Sequence, residues 1–222
     1  MKFEAILFDC DGVLVDSEPI TNGVLRDLLE EAGWLLTPED CMRLFIGKAV
    51  REERQMIEAA TGRPLTEDWM QLFYERRNRA LEAQLEMVAG ADAAVAAAHA
   101  HTRQRIACAS GADRFKVEMQ LSKVGLMDFF AGRIFSGHEM ARSKPAPDVY
   151  LAAAQHLQAP PQQCLVIEDT PTGVLAGVAA GATVWAYCPL PEQGAALRQA
   201  GASHLFEHMA QLPQLLAATG LQ

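Results

Sequence analysis

Two hydrophobic rhythms divide this chain. Residues 5–8 form a short unbroken apolar run, Ala5-Ile6-Leu7-Phe8, the pattern of a strand buried on both faces. Similar short runs recur at 105–109, 133–135, 164–167 and 183–187, with a weaker one at 204–206. Between them, helical spacing is expected over 91–101, 113–124, 147–157, 172–180 and 194–200, followed by a terminal helix. Strand and helix in alternation predict an α/β fold, a doubly wound parallel sheet with helices on both faces. The stretch after the first strand behaves differently. Ile20, Val24, Leu25, Leu28 and Leu29 keep helical spacing up to Gly33, and three more helical patterns cover 38–45, 50–60 and 66–85. The expectation is therefore a core built from 1–16 and 87–222, with an all-helical subdomain, 17–86, inserted into it.

Right-handed crossovers bring the C-terminal ends of parallel strands to one edge, where open sheets bind ligands. Polar residues cluster at those ends. The first strand runs into Asp9-Cys10-Asp11-Gly12, the second into Ser110-Gly111-Ala112, and the third into Ser136-Gly137-His138 with Lys144-Pro145 beyond. The fourth runs into Glu168-Asp169-Thr170-Pro171. Each has an ordinary alternative. Asp-x-Asp-Gly also reads as a tight turn, Ser110-Gly111 as a helix start, Lys144 as a loop lysine, and Glu168-Asp169 as a helix cap. Extended alternation would send Asp9 and Asp11 to one side, with Cys10 on the other. Two acids that close repel unless a cation or a shared proton relieves them. Coincidence at four strand ends favours a shared crevice, and three or four carboxylates there suit a hard cation such as Mg²⁺.

Composition narrows the partners. Net charge is −9 and half the residues are hydrophobic, which argues against nucleic acid or an anionic membrane surface. No apolar run is long enough to span a bilayer. Cys10, Cys41, Cys108, Cys164 and Cys188 are scattered, odd in number and form no Cys-x-x-Cys pair. That is the usage of a reduced, cytoplasmic protein, and the chain enters a strand with no leader in front of it. A monomer or small homo-oligomer is expected. Gly173, Gly177 and Gly181 recur every four residues, a spacing expected to let the helix after the fourth strand lie close on the sheet.

Taken in order, these four motifs resemble those of the haloacid dehalogenase superfamily, in the phosphatase and phosphomutase branch that carries a helical cap after its first strand. The resemblance spans nearly the whole chain. It implies a Rossmann-like core and hydrolysis of a small phosphorylated metabolite. In such a site Asp9 is the nucleophile that forms an aspartyl-phosphate, and Asp11 protonates the leaving oxygen and then activates water. Ser110 and the Gly111 amide would hold phosphate oxygens, and Lys144 would neutralise Asp9 and the transferring group. Mg²⁺ would sit among Asp9, the Asp11 main-chain carbonyl and Asp169, with Glu168 direct or through water. An acid at position 11 fits an ester leaving group; the dehalogenases and phosphonatases of the superfamily lack it.

The resemblance also bears on substrate. Phosphoglucomutase relatives carry a histidine twelve residues beyond the nucleophile; here that residue is Thr21, which favours hydrolysis over a mutase. Where many relatives place a second small hydroxyl, this chain has Ala112. Gly47 would open a cap loop facing the site, with Lys48, Arg51 and Arg77 as candidate substrate contacts, the alternative for all three being a solvated helix face. Residues 115–187 resemble bacterial sugar-phosphate phosphatases acting on compounds such as 6-phosphogluconate. Two other readings remain open, a β-phosphoglucomutase-like enzyme and a non-catalytic protein that binds phosphorylated metabolites.

Overall fold

The computed structural model describes residues 3–46 and 48–219, so Gly47 lies outside the described residues. The chain divides into two compact units, Met1–Val15 with Met87–Gln222, and Asp16–Glu86.

In the first unit β1 (Ala5–Phe8) is the centre of a six-stranded parallel sheet. In the second unit follow α1 (Glu18–Glu31), α2 (Pro38–Phe45), α3 (Arg54–Thr61) and α4 (Glu67–Gln84). The chain then returns to the first unit with α5 (Ala91–His101), β2 (Ile106–Ser110), α6 (Arg114–Lys123), α7 (Met127–Phe130) and β3 (Ile134–Ser136). It closes with α8 (Asp148–His156), β4 (Cys164–Glu168), α9 (Pro171–Ala179), β5 (Thr183–Tyr187), α10 (Gly194–Gln199), β6 (His204–Phe206) and α11 (Leu212–Thr219).

Strand order is β3-β2-β1-β4-β5-β6. β2 and β3 therefore lie on one side of β1 and β4, β5 and β6 on the other, which makes its C-terminal end a topological switch point. Phe8 stands level with Cys108 on β2 and Ile167 on β4. The Asp9 N–H extends that ladder by donating to the Ile167 carbonyl at 3.0 Å, which sets Asp9 beside Glu168. On one face of the sheet, Ala5, Leu7, Ala107, Ala109, Val166 and Ala186 pack with Val149, Tyr150 and Ala153 of α8 and Val174 and Ala176 of α9. Small residues on that face let the helices approach closely. Gly177 shows the limit: a Cβ there would come 2.7 Å from Val184 Cγ2.

The helical unit closes around its own core of Leu25, Leu28, Leu29, Cys41, Phe45, Ile57, Met70 and Phe73. Thr37 and Thr66 start α2 and α4 by accepting from the N–H of Asp40 (3.1 Å) and Trp69 (3.2 Å). One expected boundary moves. Helical spacing begins at Val50, yet residues 50–53 form turns, and regular helix starts only at Arg54. No helix among the described residues is long and apolar enough to cross a membrane.

Candidate active site

β1 ends at Phe8, and the backbone does not continue extended through Asp11. Instead the Cys10 carbonyl accepts from the N–H groups of Val13, Leu14 and Val15 at 2.9–3.3 Å. This compact turn, with Gly12 at φ +76°, replaces the strand alternation expected across Asp9–Asp11. Gly12 is required twice over. Its φ lies in the left-handed region, and a Cβ would fall 2.0 Å from Asp169 Oδ2.

Asp9 is 7% exposed, and its Oδ1 accepts from Lys144 Nζ at 2.8 Å. The same ammonium donates to Glu168 Oε1 at 2.7 Å and to the Tyr150 hydroxyl at 2.9 Å. Tyr150, itself fully buried on α8, donates to Glu168 Oε1 at 2.7 Å. The second Glu168 oxygen accepts from the Asp169 N–H (3.0 Å), the Thr170 N–H (3.3 Å) and the Thr170 hydroxyl (3.2 Å). Thr170 then caps α9 by accepting from the Gly173 N–H at 3.1 Å, with Pro171 in the first turn. Gly173 makes room for this arrangement, because a Cβ there would lie 1.7 Å from Glu168 Oε1. The three spaced glycines thus do different things: Gly173 admits the Glu168 carboxylate, Gly177 admits the sheet, and Gly181, at φ +85°, ends the helix.

Burial pushes the Asp9 carboxyl up; Lys144 pulls it back, the Glu168 and Asp11 charges push it up again, and it stands at about 7 against an ordinary 3.8. Burial pushes Glu168 up as well, but the Lys144 charge and the bonds from Lys144, Tyr150 and the Thr170 backbone outweigh it. The Glu168 carboxyl lies below its ordinary range. Burial lowers Lys144, and the Asp9 and Glu168 charges more than restore it, holding the ammonium well above the usual lysine value.

Asp11 uses a different cation. Its Oδ1 accepts from Lys116 Nζ at 2.8 Å and from Gln120 Nε2 at 2.9 Å. Ser110 is buried at the end of β2, where its Oγ accepts from the Ala112 N–H at 3.1 Å. The loop that follows is braced by Ser136, whose hydroxyl donates to the Ala112 carbonyl at 2.6 Å. Gly137 lies so close that a Cβ would sit 3.1 Å from the Gly111 Cα.

The chemistry of the donor set fits a hard divalent cation. Asp9, Glu168 and Asp169 each offer a carboxylate oxygen, and these atoms lie within 4.8 Å of one another. Asp9, Asp11, Glu168 and Asp169 against Lys116 and Lys144 leave a net charge of about −2 when all are ionised. A divalent ion balances that, and all-oxygen ligation is what Mg²⁺ takes.

In the helical unit the expected contacts have local partners. Arg51 makes a two-pronged pair with Glu67 (2.5 and 2.8 Å), and Lys48 lies 3.4 Å from Glu53. Arg77 is buried on α4, where its guanidinium donates to Asn78 Oδ1 and lies 4.8 Å from the centre of the Tyr74 ring. Lys116, Gln120 and Tyr150 are the site residues that sequence reasoning missed. The available signal was polar side chains at i and i+4 on the apolar face of an amphipathic helix, as Lys116 and Gln120 stand among Val117 and Leu121.

Comparison with known proteins finds phosphatases and related hydrolases. A 6-phosphogluconate phosphatase of Escherichia coli K12 is 28% identical, covering 99% of this chain and 97% of its own. A phosphorylated carbohydrates phosphatase of Thermotoga maritima is 29% identical over 90% of this chain and 92% of its own. A family hydrolase of Deinococcus radiodurans R1, solved with bound phosphate and sodium, superposes with a TM-score of 0.79 at 33% identity, covering 99% of this chain and 97% of that one. Residues 3–181 match the model of the haloacid dehalogenase-like hydrolases. The chain belongs to that family.

Proposed function

We propose that this protein is a Mg²⁺-dependent phosphatase that hydrolyses a small phosphorylated sugar through an aspartyl-phosphate on Asp9. The observation that carries the reading is the buried Asp9 carboxylate held by Lys144 beside the Glu168–Asp169 pair. The two relatives named as phosphatases of phosphorylated carbohydrates support the substrate class.

Asp9 attacks phosphorus, and Asp11 gives the ester oxygen its proton, then takes one from the water that releases phosphate. Lys144 holds Asp9 in place and offsets charge on the transferring group, while Ser110 and the Gly111 N–H hold phosphate oxygens. When bound, Mg²⁺ would supply further charge neutralisation; Asp9, Asp169 and the main-chain carbonyl of Asp11 would hold it. Glu168, both of whose oxygens already accept protein hydrogen bonds, would support that site directly or through water. The helical unit serves as a cap that excludes water. In the helical unit Lys48 and Arg51 are left to recognise the rest of the substrate, Arg51 in competition with Glu67, whereas Arg77 is buried against Phe73 and Tyr74. Thr21 in place of a histidine leaves water as the final acceptor.

The test is phosphate release from a panel of sugar phosphates, phosphoglycolate and nucleotides, with and without Mg²⁺. Expected is Mg²⁺-dependent release, fastest from sugar phosphates. No release across the panel would favour a binding protein. Isomerisation of β-glucose 1-phosphate faster than phosphate release, in the presence of a bisphosphate activator, would favour a mutase.

A further inference from the structure

Lys116 is an expensive residue to keep in a core. It occupies the inward face of α6 beside Val117 and Leu121 and is 6% exposed. A buried ammonium loses its hydration, and an apolar side chain of similar volume would stabilise the core at least as well. Gln120, one turn later, is completely buried. The helix start sets both in register: the Asp113 side chain accepts from the Lys116 N–H at 2.9 Å, which fixes Lys116 in the first turn. From there the two side chains converge on one atom, Asp11 Oδ1, at 2.8 and 2.9 Å. The Gln120 amide is itself oriented, since its Oε1 accepts from the Cys10 thiol at 3.5 Å. That contact turns the amide nitrogen toward Asp11. Asp11 itself lies beyond β1, which ends at Phe8.

We propose that Lys116 and Gln120 are positioning residues for Asp11, fixing its rotamer so that the carboxyl stands where the ester oxygen leaves. The inference rests on Asp11 as the proton donor of the proposed phosphatase. General acid catalysis contributes about 10²- to 10⁴-fold where the leaving group is a poor one. Misplacing a catalytic group by an ångström costs about 10²-fold. The effect must therefore depend on the leaving group. Alkyl esters need a proton; a p-nitrophenolate departs without one.

The experiment compares kcat/KM of the Mg²⁺-loaded protein on three alkyl esters (6-phosphogluconate, fructose 1-phosphate, glucose 6-phosphate) with that on p-nitrophenyl phosphate. This ratio covers the steps up to departure of the leaving group, and so reports proton donation apart from hydrolysis of phosphorylated Asp9. Lys116→Met should lose about 10²-fold on the best alkyl ester and less than about tenfold on the aryl ester. Gln120→Met should show the same pattern more weakly, and Lys116→Arg should recover most of the loss. Asp11→Asn serves as the reference. If Asp11→Asn is selective for alkyl esters and Lys116→Met is not, the positioning inference falls while the phosphatase reading stands. If Asp11→Asn itself shows no selectivity, the role given to Asp11 falls first. Equal losses on both ester classes in Lys116→Met and Gln120→Met would mark a general structural role and overturn the proposal.

Discussion

Two ion pairs of the helical unit and the three pairs of the candidate site in the α/β unit stand in opposite settings. In the helical unit Arg51 reaches Glu67, and Arg76 reaches Glu31, with side chains 39–72% exposed. These pairs lie outside the core of Leu25, Leu28, Phe45 and Phe73. In the α/β unit the Lys144–Asp9, Lys144–Glu168 and Lys116–Asp11 pairs have side chains 1–16% exposed. An exposed ion pair contributes little and constrains little. A buried one costs several kcal/mol of desolvation for each ion, and hydrophobic residues would often fill its space as well. The α/β unit therefore keeps these charges at the expense of its core, and the proposed function gives them a use. Changes at the buried pairs should be felt in both stability and turnover, whereas changes at the exposed ones should scarcely register.

The largest expected effect follows from removing the shared cation. Lys144→Met leaves the buried Asp9 and Glu168 carboxylates facing each other, and loss of one partner of a buried pair costs about 3–5 kcal/mol. Thermal unfolding at pH 7.5 checks this, and phosphatase activity should fall with it. A Tm within a degree or two of the parent, by that scale, would show the pair to be no more than the exposed pairs of the helical unit.

Next comes a matched pair of glycine substitutions. Gly173→Ala drives a methyl into Glu168 Oε1 and must displace the carboxylate from Lys144 and Tyr150, so both stability and activity should drop. In α1, Gly23 has nothing within 4 Å of a built Cβ. Gly23→Ala should stabilise by about 0.5–1 kcal/mol through helix propensity. Chemical denaturation of the two variants side by side gives the contrast directly.

The third is a pH effect on metal binding. Asp9 carries a raised carboxyl, about 7 against 3.8, so its proton-bound form favours the folded metal-free protein. That contribution is complete below pH 3.8 and is lost as pH rises through about 7. A cation that Asp9 helps to hold must displace the proton at low pH. Mg²⁺ should therefore bind roughly 30-fold more weakly at pH 5.5 than above pH 8, and raise Tm less. Calorimetric titration at the two pH values measures the difference, and equal affinities would remove Asp9 from the cation site.

Strand β1 and the motifs at the strand ends were legible in the sequence for one reason. A parallel sheet leaves few places for chemistry, and the apolar runs locate those places. Ala5–Phe8 was read to the residue, and Asp9, Lys144 and Glu168 meet as their positions after the strands require. What was not legible depended on side chains reaching in from helices. Tyr150 looks like any aromatic core residue until its hydroxyl meets both Lys144 and Glu168. Lys116 and Gln120 stand in a predicted helix, and nothing in the spacing says that their polar ends are buried with Val117 and Leu121. The extended geometry expected across Asp9–Asp11 is absent because the chain leaves the strand at Phe8 and winds around the Cys10 carbonyl, yet the two acids stay close enough for the Asp11 charge to push the Asp9 carboxyl up. In the helical unit, Arg77 was a candidate substrate contact or else a solvated charge, and the rings of Phe73 and Tyr74 hold it inside. Cation–π burial of that kind leaves no periodic trace.

The central claim is that Asp9 becomes covalently phosphorylated. The direct measurement is a rapid-quench turnover followed by borohydride reduction, which converts an aspartyl-phosphate to homoserine, and peptide mass spectrometry of the product. The account predicts homoserine at position 9 only when substrate and Mg²⁺ are both present. Unmodified Asp9 under conditions of steady phosphate release, or reduction at any other carboxylate, would contradict it.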